Sequence, residues 1–183
     1  MIRLFTAIAL PEEVRASLAT IMAGIPGAKW TRPENLHLTL RFIGNVDGRL
    51  FRDIADSLSH VQGEPFELRL SGVGQFGEGR RIDLVWAGVQ ASVPLLRLQG
   101  RIEQRLRAEG LEPEPRKYHP HVTLARLRGA PDRRVADYLT GHGLYRSAPF
   151  RVEEFVLFSS FLSQDGAIHQ PEATYPLGRS GGV

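Results

Sequence analysis

The sequence predicts an α/β protein of the α+β class, in which two similar halves form two lobes of one domain over residues 1–183. Strand-like runs alternate along the chain with segments of helical periodicity, which is the order of a mixed fold. The tetrapeptide HLTL at residues 37–40 returns as HVTL at residues 121–124, an interval of 84 residues (121 − 37). A strand followed by a helix, starting at Leu4, returns at Leu84, an interval of 80 residues (84 − 4). A duplicated half-domain explains both intervals.

Each element is predicted from its local sequence. Strand-like sequence patterns predict strands at residues 2–10, 36–43, 66–73, 82–89, 121–127 and 150–162. Helical periodicity predicts helices at residues 11–23, 48–60, 94–109 and 132–140. Pro11 and Pro94 stand where the first and third helices begin, because proline suits a first turn, and Gly110 ends the third. We expect a pseudo-twofold axis, mostly antiparallel sheets lining a central cleft, helices outside, and a frayed tail from Gly178 to Val183.

Composition excludes several classes of protein. The chain has no cysteine, which removes disulfides, thiolate zinc sites and a cysteine nucleophile. No apolar run approaches the ~18–20 residues of a membrane span, and the apolar N-terminus runs into Pro11 and Glu12 without a cleavage-type ending. We therefore expect a cytoplasmic protein with no membrane partner. The net charge is +3, and 21 of the 23 basic residues are arginine, since only Lys29 and Lys117 are lysines (23 − 2). Coding bias and solvated helix faces explain most of this excess, although arginine also suits phosphate.

The repeated tetrapeptides carry the candidate chemistry. Side chains alternate along a strand, so His37 and Thr39 share one face of their strand, as do His121 and Thr123, while the apolar residues between them point into the core. A single histidine on a strand is usually structural, but two such tetrapeptides are expected by chance only roughly once in a thousand. We therefore interpret these four residues as one site formed between the two halves.

Two imidazoles facing each other suit acid–base catalysis on a phosphodiester. With an ordinary pKa of about 6.5, one histidine can accept a proton from water while the other donates a proton to the leaving oxygen. In-line displacement at phosphorus places these two oxygens on opposite sides, and the threonine hydroxyls can donate to the non-bridging oxygens. This chemistry needs no metal and no other cofactor. His119 shares a face with His121 and raises the alternative of a zinc pair, but no third ligand accompanies it at ligand spacing.

The sequence around these motifs resembles the 2H phosphoesterases, a family named for two H-x-T-x motifs. Within that family it is most similar to the bacterial and archaeal RNA 2′,3′-cyclic phosphodiesterases, also called 2′-5′ RNA ligases. The resemblance rests on RLFTAI at residues 3–8, Pro11, Trp30, HLTLRFIG at residues 37–44 and PHVTLAR at residues 120–126, in the family's order. It spans nearly the whole chain, departs from the family at His119 and is loose after Phe161.

The resemblance implies a bilobal fold of duplicated halves and metal-free hydrolysis of a terminal 2′,3′-cyclic phosphate to a 2′-phosphate. Carried onto this chain, it makes His37 the proton donor and His121 the proton acceptor, and it offers Arg126 as a phosphate or nucleobase contact. The implied partner is RNA with a 2′,3′-cyclic phosphate end, or a small cyclic nucleotide, and we expect a monomer. The reverse reaction, 2′-5′ ligation, uses an RNA 5′-hydroxyl in place of water. The alternative is a module that binds nucleotides or RNA ends without turnover.

Residues near the motifs lead to further expectations. Strict alternation puts Arg126 on the face opposite the second motif histidine unless the strand bends or ends, whereas Arg41 shares the face of the first motif histidine. Phe42 and Trp30 could stack a nucleobase, although an aromatic residue in a strand more often belongs to the core. We interpret the three remaining histidines as surface residues: His60, His142 and His169.

Overall fold

The structure, a computed structural model, describes residues 1–78 and 81–178. Within these ranges the strands are β1 Ile2–Ala9, β2 Lys29–Trp30, β3 His37–Val46, β4 Phe66–Leu68, β5 Leu70–Phe76, β6 Leu84–Val89, β7 His121–Arg126, β8 Phe150–Val152, β9 Glu154–Ser163 and β10 Gly166–Pro176. The helices are α1 Glu12–Ala19, α2 Gly48–Leu58, α3 Val93–Ala108 and α4 Asp132–His142, and a 3₁₀ turn at Pro33–Asn35 precedes β3. Beyond Gly178, the predicted frayed tail lies outside the described residues.

The strands form two four-stranded sheets and one two-stranded sheet. The first sheet has the order β10-β9-β1-β3, the second has the order β2-β7-β6-β5, and β4 pairs with β8 in the third. Each of these pairings is antiparallel. β3 of the first sheet contacts β7 of the second, which joins the two lobes along the strands that carry the motifs. The predicted mixed α/β fold with antiparallel sheets is confirmed.

The two halves of the chain are built alike and exchange strands. β3 and β7, α2 and α4, and β4 and β8 each begin 84 residues apart (121 − 37, 132 − 48 and 150 − 66). β5 of the first half pairs with β6 of the second, and β9 of the second half pairs with β1 of the first. Each four-stranded sheet therefore contains strands from both halves, and neither lobe is a continuous piece of chain.

Several element boundaries differ from the sequence prediction. The strands expected at residues 66–73 and 150–162 each divide in two, because the chain leaves the two-stranded sheet β4–β8 to join the other half's sheet. α1 ends at Ala19, four residues before the predicted end, and the Thr20 hydroxyl donates to the Ser17 carbonyl there at 2.6 Å. β2 and β10 were not predicted. β10 is an edge strand that contains Pro171, which an edge tolerates, and its register shifts between Pro171 and Ala173.

In each four-stranded sheet, one face packs on the hydrophobic core and the opposite face carries the motif residues. The apolar side chains that alternate with the motif residues are buried in the same cluster as the apolar side of α3: Leu38, Leu40, Val122 and Leu124. We call the opposite face the motif face; it carries His37 and Thr39 in one sheet and His121 and Thr123 in the other. Burial of the alternate residues thus fixes which way the motif side chains point. Among residues 1–78 and 81–178, no helix is both long and apolar enough to cross a membrane.

Candidate active site

Each motif histidine is the first residue of its strand and is oriented by a backbone carbonyl two residues upstream. The carbonyl of Asn35 lies 2.6 Å from Nδ1 of His37, and the carbonyl of His119 lies 2.7 Å from Nδ1 of His121. A carbonyl can only accept, so Nδ1 carries the hydrogen in both neutral rings and Nε2 keeps its lone pair. The hydroxyl of Thr39 donates to Nε2 of His37 at 2.9 Å. Both histidines therefore present Nε2 as the reactive nitrogen.

The exchanged strands build an aromatic wall beside each motif histidine. The ring of His37 lies 5.0 Å from Phe5 of β1 and 6.5 Å from Phe158 of β9. The ring of His121 lies 4.8 Å from Phe76 of β5, at an interplanar angle of 85°. Phe158 belongs to the second half of the chain and flanks His37 of the first half, whereas Phe76 belongs to the first half and flanks His121 of the second. The surroundings of both histidines therefore depend on the strand exchange.

These apolar walls lower the pKa values of both histidines. Burial lowers the pKa of His37 to about 4, the hydrogen bond to Asn35 opposes this, and the charges of His169 and His121 add to it. β3 and β7, the strands that begin with the two motif histidines, contact each other. Burial also lowers the pKa of His121, and the nearby side chain of His119 adds to that effect. Both rings are consequently neutral at pH 7 in the free protein.

A bulge in β3 removes Arg41 from the motif face. Thr39 pairs with Ala7 of β1, but Arg41 pairs with the next residue, Thr6, so Leu40 is an extra residue in β3. The shift turns Arg41 toward the helices, where its Nε donates to a carboxylate oxygen of Glu103 in α3 at 2.5 Å. The expectation that Arg41 shares the face of the motif histidine is therefore wrong, because strict alternation does not survive the bulge.

The matching bulge in β7 brings Arg126 onto the motif face. Thr123 pairs with Trp86 of β6 and Arg126 pairs with Leu84, so three steps along β7 oppose two along β6 and Leu124 is extra. Trp86 and Leu84 share a face, and the Trp86 ring lies 6.3 Å from the ring of His121 on the motif face. Arg126 therefore shares the face of the motif residues, and the prediction from strict alternation is wrong here too.

The two aromatic candidates have different positions. Phe42 stands 84 residues before Arg126 (126 − 42), and each of the two is the second residue after the bulge in its strand. Its side chain is 57% exposed and its ring lies 5.9 Å from Phe5, so it offers a free ring beside the motif residues. Trp30 pairs with the buried Ala125 and packs on the core, with its ring 5.8 Å from Tyr138. Trp30 is thus placed as a core residue.

Sequence reasoning missed His169, which lies in the site. Its ring is 5.3 Å from that of His37, edge to face, and its Nδ1 lies 3.1 Å from the hydroxyl of Ser160. Together with Arg15 and Glu34, these two histidines line a cavity of about 50 Å³. Burial lowers the pKa of His169. The interpretation of His169 as a surface residue is wrong because β10, which positions it, was not predicted.

The remaining histidines are His60, His119 and His142. The ring of His119 lies 6.1 Å from that of His121 and 4.9 Å from that of Trp86. Within the described ranges, no group of three or more His, Cys, Asp or Glu side chains is arranged to hold a metal ion. His60 is exposed as expected, whereas His142 is half-buried, 4.6 Å from the ring of Tyr138, rather than a free surface residue.

Comparison with known protein families finds one family pattern in each half of the chain. A family model described as LigT-like phosphoesterase matches residues 8–86 and matches again over residues 88–169. The chain belongs to the LigT-like phosphoesterase family. The two matches correspond to the two halves recognised from the 84-residue interval, so the family pattern itself covers each half.

Similar proteins of known name and structure extend the comparison. A protein of Aeropyrum pernix named RNA 2′,3′-cyclic phosphodiesterase is 34% identical over 80% of this chain and 84% of its own length. A protein of Methanothermobacter thermautotrophicus with the same name is 33% identical over 96% of this chain and 99% of its own length. Escherichia coli LigT, solved in complex with 3′-AMP, is 26% identical with a TM-score of 0.80, covering 97% of this chain and 99% of its own. LigT-like phosphoesterases thus share this fold across nearly the whole chain.

Proposed function

We propose that this protein hydrolyses the 2′,3′-cyclic phosphate at the end of RNA, or of a small cyclic nucleotide, to a 2′-phosphomonoester without a metal. The observation that carries the proposal is the pair of histidines whose Nδ1 atoms are fixed by the carbonyls of Asn35 and His119. This arrangement leaves two reactive Nε2 atoms on the motif faces of adjoining strands. Relatives named RNA 2′,3′-cyclic phosphodiesterase support the choice of substrate, as does the 3′-AMP bound to E. coli LigT.

In the proposed reaction His121 is the general base and His37 is the general acid. Water attacks phosphorus and gives its proton to Nε2 of His121, while the bond from phosphorus to the 3′-oxygen breaks and that oxygen takes a proton from Nε2 of His37. His37 must therefore be protonated in the complex. The anionic phosphate supplies the reason, because an opposite charge within a few ångströms raises the pKa of a buried histidine. The division of roles comes from the family resemblance.

The neighbouring groups stabilise the charge that develops on the phosphate. Once Nε2 of His37 is protonated it no longer accepts the hydroxyl proton of Thr39, so the hydroxyls of Thr39 and Thr123 donate to the non-bridging oxygens. Arg126 contacts the phosphate or the nucleobase. The exposed ring of Phe42 offers a face on which a base can stack. With an RNA 5′-hydroxyl in place of water as the nucleophile, the same displacement joins two RNA ends through a 2′-5′ linkage: the bond from the 5′-oxygen to phosphorus forms as the bond to the 3′-oxygen breaks.

The test is incubation of the protein with an oligonucleotide that ends in a 2′,3′-cyclic phosphate, in the presence of EDTA. We expect turnover to continue and the product to be a 2′-phosphomonoester. His37→Ala and His121→Ala should each lower kcat by about 10²–10⁴-fold, the usual effect of removing a positioned acid or base. Binding without turnover would support the non-catalytic alternative, and activity that returns only with an added metal would overturn the metal-free mechanism.

We further infer a monomeric protein that acts on RNA in the cytoplasm, with its two lobes forming a single domain. The exchange of β5 and β9 between the lobes supports one cooperative unit, since neither sheet is complete without both halves. A single unfolding transition and a monomeric mass in light scattering are the expected results. Two separate transitions, or a stable dimer, would contradict these expectations.

A further inference from the structure

A second cation lies beside Arg126 on the motif face. Lys29 of β2 pairs directly with Arg126 of β7, and directly paired residues of antiparallel strands project from the same face. The next pair, Trp30 with Ala125, points into the core, which confirms the facing of Lys29. Lys29 and Arg126 are both exposed. The edge of the second sheet therefore presents two adjacent cations toward the site.

No carboxylate of the described ranges forms an ion pair with either of these cations. The ion pairs within residues 1–78 and 81–178 involve Arg41, Arg49 and Arg151, and neither Lys29 nor Arg126 takes part in one. Like charges directly opposite each other on a sheet oppose the pairing of the strands. An anion bound between the two side chains would remove that repulsion, so the pair has the character of an anion site.

The position of Lys29 indicates which anion its side chain would bind. Arg126 stands three residues beyond Thr123, but the bulge at Leu124 reduces the separation to two strand steps, about 7 Å along the strand. β2 lies on the outer side of β7, about 4.8 Å farther across the sheet. Lys29 is therefore one strand spacing farther than Arg126 from the motif threonine. A second phosphate of the same nucleic acid strand fits this displacement.

We propose that Lys29, which stands beside Arg126, binds the phosphate on the 5′ side of the terminal nucleotide, and so makes an RNA end a better substrate than a cyclic nucleoside phosphate. The proposal rests on the hydrolysis proposed above. Lysine suits this role because a flexible point charge follows a backbone phosphate without reading a base. Such a contact adds affinity for the chain and does not take part in the chemical step.

The experiment compares three substrates that share one terminal nucleoside: its 2′,3′-cyclic phosphate, the same compound with a 5′-phosphate, and a dinucleotide that ends in it. For the wild type, kcat/KM should rise when the 5′-phosphate is added. In Lys29→Ala the ratio of kcat/KM with and without the 5′-phosphate should fall by about fivefold, the upper range for an exposed ion pair. Lys29→Arg should restore the ratio. Arg107→Ala, which removes one positive charge from the last turn of α3, is the matched control and should leave the ratio at the wild-type value.

Salt dependence gives an independent readout. The slope of log KM for the dinucleotide against log salt should become shallower by about 0.7 in Lys29→Ala, which corresponds to one lost phosphate contact on a single strand. An unchanged ratio together with an unchanged slope would overturn the proposal. If the wild type hydrolyses none of the three substrates, the proposed function itself fails, and that result is distinct from equal hydrolysis of all three.

Discussion

The protonation of His37 is the most direct consequence of its buried position. Because burial lowers the pKa of His37 to about 4, the ring should stay neutral in the free protein down to about pH 5. An NMR titration of the histidine ring resonances measures this pKa directly. Addition of a non-hydrolysable 2′-phosphate nucleotide should raise it above the free value, because the bound anion stabilises the imidazolium.

The same shift makes stability depend on pH. The unfolded chain binds a proton at His37 near pH 6.5 and the folded chain only near pH 4, so the unfolded state holds more protons between these values. The contribution is close to zero at pH 7, and the folded state becomes less stable as the pH falls. Between pH 7 and pH 5 the linkage relation gives a loss of about 2 kcal/mol from this residue alone.

Chemical denaturation of the wild type and of His37→Gln at pH 5 and pH 7 tests that magnitude. The wild type should lose about 2 kcal/mol more than the variant over this interval, because glutamine does not titrate. Equal losses in the two proteins, or an NMR pKa of His37 at or above about 6.5 in the free protein, would refute the argument that the aromatic wall keeps this histidine neutral.

Three further predictions concern residues around the histidines. Thr39→Ala and Thr123→Ala should each cost about 2–4 kcal/mol of transition-state stabilisation in kcat/KM, if each hydroxyl is a positioned donor to the phosphate. Arg41→Met should lower the free energy of unfolding by about 2 kcal/mol, because it leaves the carboxylate of its α3 partner unpaired. Gly74→Ala should lower both stability, by about 1–3 kcal/mol, and activity, because its Cβ would lie 2.3 Å from the Trp86 ring beside the second motif histidine.

Each of these predictions has a control or a contradicting result. Unchanged kinetics in both threonine variants would mean that the threonines serve only as strand formers. Arg126→Met is the counterpart of the Arg41 variant and should lower activity with little effect on unfolding, so the reverse pattern would contradict the assignment of faces by the two bulges. Gly100→Ala in α3, where the added Cβ would meet nothing within 4 Å beyond the adjacent backbone of its own helix, should stabilise the protein by about 1 kcal/mol. Full activity in Gly74→Ala would show that Trp86 is not needed beside the site.

The duplicated motifs made much of this molecule predictable from its sequence. The mixed fold, the family and the 84-residue interval follow from local patterns that a linear chain displays. The alternation of His37 and Thr39 with buried leucines also fixes a face without any tertiary information. These features are local or repeated, and they are the kind that pattern reasoning detects.

The features that escaped prediction depend on contacts between distant segments. The bulges at Leu40 and Leu124 reverse the facing of the arginines, and their position depends on the register with another strand. To predict the exchange of β5 and β9, one must know which sheet each of these strands joins. His169 enters the site only because β10 pairs along β9, a pairing between segments that local sequence patterns do not reveal.

The division of labour between His37 and His121 is the central claim, and a substrate with sulfur in place of the leaving 3′-oxygen tests it most directly. A thiolate leaves without needing a proton, so this substrate should restore much of the lost rate to His37→Ala and little to His121→Ala. Rescue of His121→Ala alone would reverse the two roles. Rescue of neither variant, together with a pH–rate profile of a single limb in the wild type, would contradict acid–base catalysis by the two histidines.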